Sequence, residues 1–214
     1  MKKISGFAVV HYWLFVLGFS IIAPLISANE TKPIHRSVQK AVIATTMGEI
    51  EIELYTGDAP ISATNFIRYI NAGAFNEGRF YRVVRLDNDN GSPKIEVIQG
   101  GANTEFKDFT AIELETTQHT GIQHLDGVLS MARGAPDSAT SEFFICIGAQ
   151  PSLDFGGKRN PDGQGFAAFG RVTKGMSIVR KIHQIREALA VQDNYVKGQI
   201  LAQPVSIANI QLKN

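Results

Sequence analysis

Four short stretches of the chain hold residue types that could do chemistry. Phe80-Tyr81-Arg82-Val83-Val84 places one arginine in a run that is otherwise apolar and aromatic. A guanidinium there is either half of a structural ion pair or a fixed fork of N–H donors, and spacing alone leaves both open. Val97-Ile98-Gln99-Gly100-Gly101 ends an apolar run in one carboxamide and two glycines. Leu129-Ser130-Met131-Ala132 runs into Arg133-Gly134, and Ser141-Glu142-Phe143-Phe144-Ile145-Cys146 follows it.

The common catalytic patterns are missing from these stretches. The sequence has no phosphate-cradling glycine loop, no paired-histidine metal motif and no nucleophile elbow. His35, His119, His124 and His183 lie scattered without ligand spacing, which reads as structural or solvated rather than metal-binding. Cys146 is the sole cysteine, so no intramolecular disulfide can form, and its apolar surroundings predict a buried strand residue. Glu49, Glu51 and Glu53 alternate with Ile50, Ile52 and Leu54, the period of a strand with one wet face rather than a cation site. Neither metal nor cofactor is expected.

The elements that would position these residues are mostly strands. Residues 42–55 read as a hairpin turning at Met47-Gly48, and further strands are expected at 79–85, 95–99, 128–132, 142–147, 166–172 and 205–212. Pro60 opens a helix whose Ala63, Phe66, Ile67 and Ile70 share a face, with Gly73 as its stop. A second helix is expected from Thr173, with Ile178, Val179, Ile182 and Ile185 on one side. Strands joined by glycine-rich loops, not by alternating helices, argue against a parallel sheet. The predicted fold is mainly β: a closed eight-stranded antiparallel barrel capped by two helices. The long connections at 86–94 and 148–165 are where a binding surface would lie.

Composition narrows the function. Of 214 residues, 44% are hydrophobic and 19% charged, with Lys+Arg 21 against Asp+Glu 20. That balance excludes a disordered or collagen-like chain, and a net charge of +1 gives no surplus for neutralising nucleic-acid phosphates. Lys2 and Lys3 precede an uncharged apolar stretch ending near Ala28, and no charge appears until Glu30. Residues 1–28 therefore read as a secretory signal, with an uncleaved anchor as the other reading. Residues 29–40 read as a polar tether, and 41–214 as one domain large enough to bury a core. Both readings of the leader export the domain, and a bacterial periplasm is the expected location.

In order along 41–213, the chain resembles the cyclophilins, the peptidyl-prolyl cis–trans isomerases. The resemblance rests on Gly48-Glu-Ile-Glu-Ile-Glu-Leu-Tyr55, Ala59-Pro-Ile-Ser-Ala-Thr-Asn-Phe66, Phe80–Val84, Gln99-Gly-Gly101, Ser130-Met-Ala132, Ser141–Cys146 and Phe169-Gly170. It implies a cofactor-free rotation about the bond preceding proline in proline-containing segments of unfolded exported proteins. Arg82 would be the catalytic group, oriented by Gln99. A twisted amide exposes its nitrogen lone pair, which a guanidinium can hydrogen-bond and which the planar amide does not offer. Val97, Phe144 and Leu153 would form the proline pocket, with Phe143 behind it as core. Phe80, Ala132, Arg133, Glu142 and Phe166 complete the expected peptide-binding set, Ala132 and Arg133 through their backbone.

The chain departs from the family pattern at several of these places. Tyr81 stands where histidine is common, Glu142 where glutamine is typical, and Arg133 where asparagine is commoner. Glu96 falls near a pocket aromatic, Ser152 near an indole at the pocket rim, and Phe166 near a rim histidine. Ser152 predicts weak cyclosporin binding. Glu142 is expected to form an ion pair with Arg82. The domain is expected to act as a monomer, without nucleic acid or stable membrane association once the signal is removed. The alternatives are a proline-peptide-binding chaperone or scaffold with little turnover and, weaker still, a barrel carrying small ligands inside.

Overall fold

A computed structural model describes residues 37–213. The expected signal at 1–28, and the part of the tether before residue 37, lie outside the described residues. The described residues form eight strands: β1 (Gln39–Thr45), β2 (Gly48–Leu54), β3 (Gly78–Val84), β4 (Val97–Gly101), β5 (Val128–Met131), β6 (Phe143–Cys146), β7 (Ala167–Lys174) and β8 (Ile200–Lys213). They close in the order β1-β2-β7-β5-β6-β4-β3-β8. Each neighbouring pair is antiparallel. Closure leaves no sheet edge for another chain to pair with.

The inside of the barrel is filled, not hollow. Ile43, Ile50, Ile52, Leu54, Ile98, Leu129, Phe143, Ile145, Phe169 and Ile207 share one buried cluster. The alternate residues of β2 face water, where Glu51 pairs with Lys174 and Lys213 and Glu53 with Arg171. Helix α1 (Pro60–Asn71) covers one end of the barrel. Its Phe66 ring sits 4.8 to 5.2 Å from those of Phe75, Phe143 and Phe169. The buried Glu115 carboxylate accepts the Ile61 and Ser62 N–H groups at 3.2 and 2.9 Å, satisfying otherwise orphaned donors of the first turn. A filled barrel leaves no interior for a carried ligand.

Several bounds differ from those read in the sequence, the largest at β8, which starts at Ile200 rather than at 205. Gln39 and Lys40, placed in the tether, are strand, because they pair with Leu54 and Glu53. The last helix, α3 (Met176–His183), starts after residue 173 because β7 keeps its pairing with β2 as far as Lys174. Gly175, at φ +93, makes the turn between them, and a Cβ there would stand 2.6 Å from the Glu49 carbonyl oxygen. A one-turn helix, α2 (Thr117–Thr120), joins the two expected capping helices; four polar residues carry no apolar period to announce it.

Candidate functional site

The site lies on the outer wall of the barrel, where β3, β4 and β6 run side by side. Alternation sorts β6 cleanly: Phe143 and Ile145 point into the barrel core, whereas Phe144 and Cys146 join a separate apolar cluster outside it. On β4, Val97 belongs to the outer cluster and Ile98 to the core. Strand β3 breaks the alternation. Its register against β4 shifts between Phe80, which faces Gly100, and Arg82, which faces Gln99. Phe80 and Val83 both enter the core, so the bulge turns the two residues between them, Tyr81 and Arg82, to the outside together. Gly100 permits it, since a Cβ there would stand 2.8 Å from both the Arg79 oxygen and the Phe80 ring.

Arg82 is held by two carboxamides. Its Nε and Nη2 donate to Gln199 Oε1 at 2.9 and 2.6 Å, and its Nη1 donates to Gln99 Oε1 at 3.0 Å. Arginine has only donors, so both amides must present oxygen to it. The Gln199 Nε2 then donates to the Asn88 carbonyl at 3.0 Å. The Gln99 Nε2 donates to Tyr81 Oη at 2.8 Å, and Tyr81 Oη donates to Glu142 Oε2 at 2.6 Å. Two of the five guanidinium donors have no partner among the described residues and are available to a ligand.

Beside Arg82 the groove is lined by Val84, Ile95, Val97, Gln99, Ala132, Arg133, Phe144, Leu153, Arg159, Asn160, Phe166 and Tyr195. Phe166 meets the Phe144 ring edge-on at 5.3 Å, forming an apolar corner. Leu153 backs this corner with no exposed surface of its own. Behind Phe144, the His124 ring stacks at 5.9 Å and is clamped at both nitrogens. Asp154 Oδ1 lies 2.7 Å from Nδ1, and Ser130 Oγ lies 2.9 Å from Nε2. The order serine, histidine, aspartate imitates a hydrolase triad. Ser130 is wholly buried, so no carbonyl can reach it, and the clamp serves to fix the ring that Phe144 rests on. Burial also pushes the Cys146 thiol far up, keeping it inert.

Several sequence expectations change here. Phe80 does not touch the groove: it is fully buried and packs edge-on against Phe143 at 5.7 Å. Glu142 neither lines the groove nor pairs with Arg82, because Tyr81 and Gln99 take its carboxylate first. Ala132 and Arg133 both line the groove, and the Arg133 guanidinium is spent on structure, all five of its donors going to Gly134, Asp162 and Gly165. It braces the loop carrying Phe166, whose ring it overlies at 5.4 Å. The Ala132 N–H is also occupied, donating to the Glu142 carbonyl.

Four residues that sequence reading missed build the far end of the groove. Asp89 and Arg159 form a bidentate pair at 2.8 Å, with side chains 0% and 2% exposed. Burial works against the Asp89 carboxylate, but Arg159 and the Gly91 and Ile95 N–H groups outweigh it and hold its pKa below the ordinary value. Arg159 also donates to Tyr195 Oη at 3.2 Å, and the Tyr195 ring lies 5.3 Å from the Arg82 guanidinium carbon. With Gln199, these residues join loops 86–94, 148–165 and 186–199 into one wall. No local pattern announces pairs that lie 36 to 117 residues apart.

Comparison with known proteins agrees with this geometry. The family model described as cyclophilin type peptidyl-prolyl cis-trans isomerase/CLD matches residues 40–211. A peptidyl-prolyl cis-trans isomerase of Acinetobacter baylyi is 36% identical over 173 residues, which cover 79% of this chain and 83% of that protein. Peptidyl-prolyl cis-trans isomerase A of Dickeya dadantii is 31% identical over 195 residues, covering 90% and 93%. A Cryptosporidium parvum cyclophilin matches the fold with a TM-score of 0.62 at 19% identity, covering 83% of this chain and 99% of that one. A second structure of that protein, in the presence of the dipeptide Ala-Pro, gives a TM-score of 0.61 at 82% and 99% coverage. A family match spanning the whole barrel, and relatives of this identity along most of their length, place the chain in the cyclophilin-type peptidyl-prolyl cis–trans isomerases, and it is an enzyme of that kind.

Proposed function

We propose that the enzyme acts on X-Pro bonds in exported proteins as they fold, with Arg82 as its catalytic residue. The observation that carries this reading is the pair of unspent Arg82 donors beside the apolar corner of Val97, Phe144 and Phe166. Rotation about the amide must overcome a barrier of about 18–20 kcal/mol. The corner holds the proline ring without asking it for hydrogen bonds, while Arg82 donates to the nitrogen lone pair that appears as the amide twists. Neither nucleophile nor proton transfer is needed. A protease-coupled assay on a panel of X-Pro peptides tests the reading. Tight peptide binding without acceleration would favour a proline-binding scaffold instead.

Export rests on the basic, apolar and small-residue order of 1–28, and the location supported by that pattern is a periplasm. Intact mass of the exported protein should show cleavage at or beside Ala28; full-length chain in the membrane fraction would show an anchor. The domain works as a monomer in this reading, which sedimentation at micromolar concentration checks. Ser152 gives the rim neither an indole donor nor its apolar area, so cyclosporin should bind weakly. Leaving one buried acceptor without its partner costs about 1–3 kcal/mol, roughly 5- to 150-fold in affinity. Titration calorimetry decides, and a Ser152→Trp variant should recover the loss.

A further inference from the structure

We propose that Tyr81 and Glu142 are positioning residues for the isomerisation, acting as a pair that turns the Gln99 carboxamide so that its oxygen faces Arg82. The proposal rests on the reading of Arg82 as the catalytic group. A carboxamide can flip, and only one of its orientations gives Arg82 an acceptor. Nothing on Arg82 itself forbids the loss of that acceptor, since Gln199 would still hold the guanidinium from the other side. The choice is made on the far side of Gln99. There Tyr81 Oη accepts the Gln99 Nε2 hydrogen at 2.8 Å, and Glu142 Oε2 stands 3.3 Å from the same nitrogen. Tyr81 can accept there because its own proton is committed to Glu142 at 2.6 Å. Each bond fixes the direction of the next, from carboxylate to phenol to amide to guanidinium.

The fold reserves room for this chain of bonds. The β3 bulge brings Tyr81 to the same face as Arg82, and Gly101 leaves the space that Glu142 fills: a Cβ there would overlap the Glu142 carboxylate as it stands. The groups facing the Glu142 carboxylate are Tyr81 and Arg79 from β3, Gln99 from β4 and Asp108 from the 102–116 segment. Burial leads and raises its pKa, Asp108 adds to the rise, and Tyr81, Gln99 and Arg79 only partly offset it. A protonated Glu142 becomes a donor. It then competes for the Gln99 oxygen, and the amide is free to turn away from Arg82.

The test measures kcat and KM separately from pH 4.5 to 8.5, with circular dichroism confirming the fold at each pH. Wild-type kcat should fall on the acid side with a midpoint above the ordinary glutamate value of about 4.3. Tyr81→Phe should lower kcat about 3- to 10-fold, the equivalent of one neutral hydrogen bond, while KM stays within about twofold. Glu142→Gln should lower kcat about threefold at pH 8 and abolish the acid fall, because its amide oxygen still accepts from Tyr81 but does not titrate. In the wild type the Gln99 carboxamide proton resonances should titrate with the same midpoint, and in Glu142→Gln they should not. An acid limb that persists unchanged in Glu142→Gln overturns the proposal, as does a Tyr81→Phe enzyme with normal kcat. A wild-type chain without turnover would remove the isomerase reading itself, whereas the Gln99 titration reports on the pair in either case.

Discussion

The Gln199 side-chain oxygen takes two hydrogen bonds from Arg82, from Nε at 2.9 Å and from Nη2 at 2.6 Å, across 117 residues of chain. Gln199 is 1% exposed and immediately precedes the closing strand of the barrel. Closure of β8 against β3 therefore sets the position of the guanidinium, and Gln99 on the opposite neighbour β4 sets it from the other side. With three donors spent on these two anchors, the fork can rotate little, and the guanidinium is held at the groove it lines. Such fixed donors act where charge or lone pairs develop, without reorganising as the reaction proceeds.

Arg82→Ala should remove most of the catalysis and leave the fold intact. A hydrogen bond from a charged donor is worth about 1.5–3 kcal/mol, which corresponds to roughly a 10- to 100-fold loss in kcat/KM. Arg82→Lys should recover little, since an ammonium cannot span both glutamine oxygens and keep a donor for the substrate. Peptide affinity should fall less than turnover, because the contact is made mainly in the twisted state. The coupled assay with circular dichroism decides; activity within about twofold of wild type, a difference of ~0.4 kcal/mol, would refute the role.

Phe144→Ala should give the opposite split. The ring presents the apolar corner to the proline in ground and twisted states alike, so KM should rise about tenfold for roughly 1.4 kcal/mol of lost contact, with kcat less affected. The deletion also leaves a void against His124 and Phe166, and should destabilise the fold by about 3–5 kcal/mol. Phe144→Leu fills part of that void and separates the two effects. A KM unchanged in a folded Phe144→Leu enzyme would show that the proline ring sits elsewhere.

Much of this architecture was legible in the chain, for reasons that differ from residue to residue. The alternation of Ile50, Ile52 and Leu54 with glutamates gives the wall of the barrel, and α1 follows from Pro60 and the spacing of Ala63, Phe66 and Ile70. Arg82 and Gln99 were visible as polar residues in apolar strands. The resemblance puts Phe80 at the groove, but the bulge between Phe80 and Arg82 shifts the faces by one residue and sends its ring into the core. Glu142 was assigned to Arg82 on charge alone, when the neutral Tyr81 hydroxyl beside it was the better placed donor. Gln199, Asp89, Arg159 and Tyr195 were invisible, since only tertiary closure brings them to the groove.

The Asp89–Arg159 pair should be the most acid-sensitive support of the groove. Loop 86–94 is anchored by it: Asp89 accepts from both Nη atoms of Arg159 and from the Gly91 and Ile95 N–H groups, and Arg159 also donates to the Pro93 carbonyl. The Gly91 backbone lies so close to the guanidinium that no side chain fits between them. Because both side chains are out of water, removing one partner strands the other, and Asp89→Asn should cost about 3–5 kcal/mol. For a domain of this size that lowers Tm by on the order of 10 °C. The Asp89 pKa is lower folded than unfolded, so the pair's contribution is fully present above the unfolded value of about 3.9 and is lost as pH falls through the folded one. The Tm gap between wild type and Asp89→Asn should therefore be wide at pH 7 and narrow below pH 4. Arg159→Met should release Tyr195 from its 3.2 Å hydrogen bond and raise KM while Arg82, held by its two glutamines, keeps kcat near wild type. Calorimetric melts across pH and the KM–kcat split check both halves. A gap that stays constant down to pH 3 would mean that the pair carries no such share of the stability.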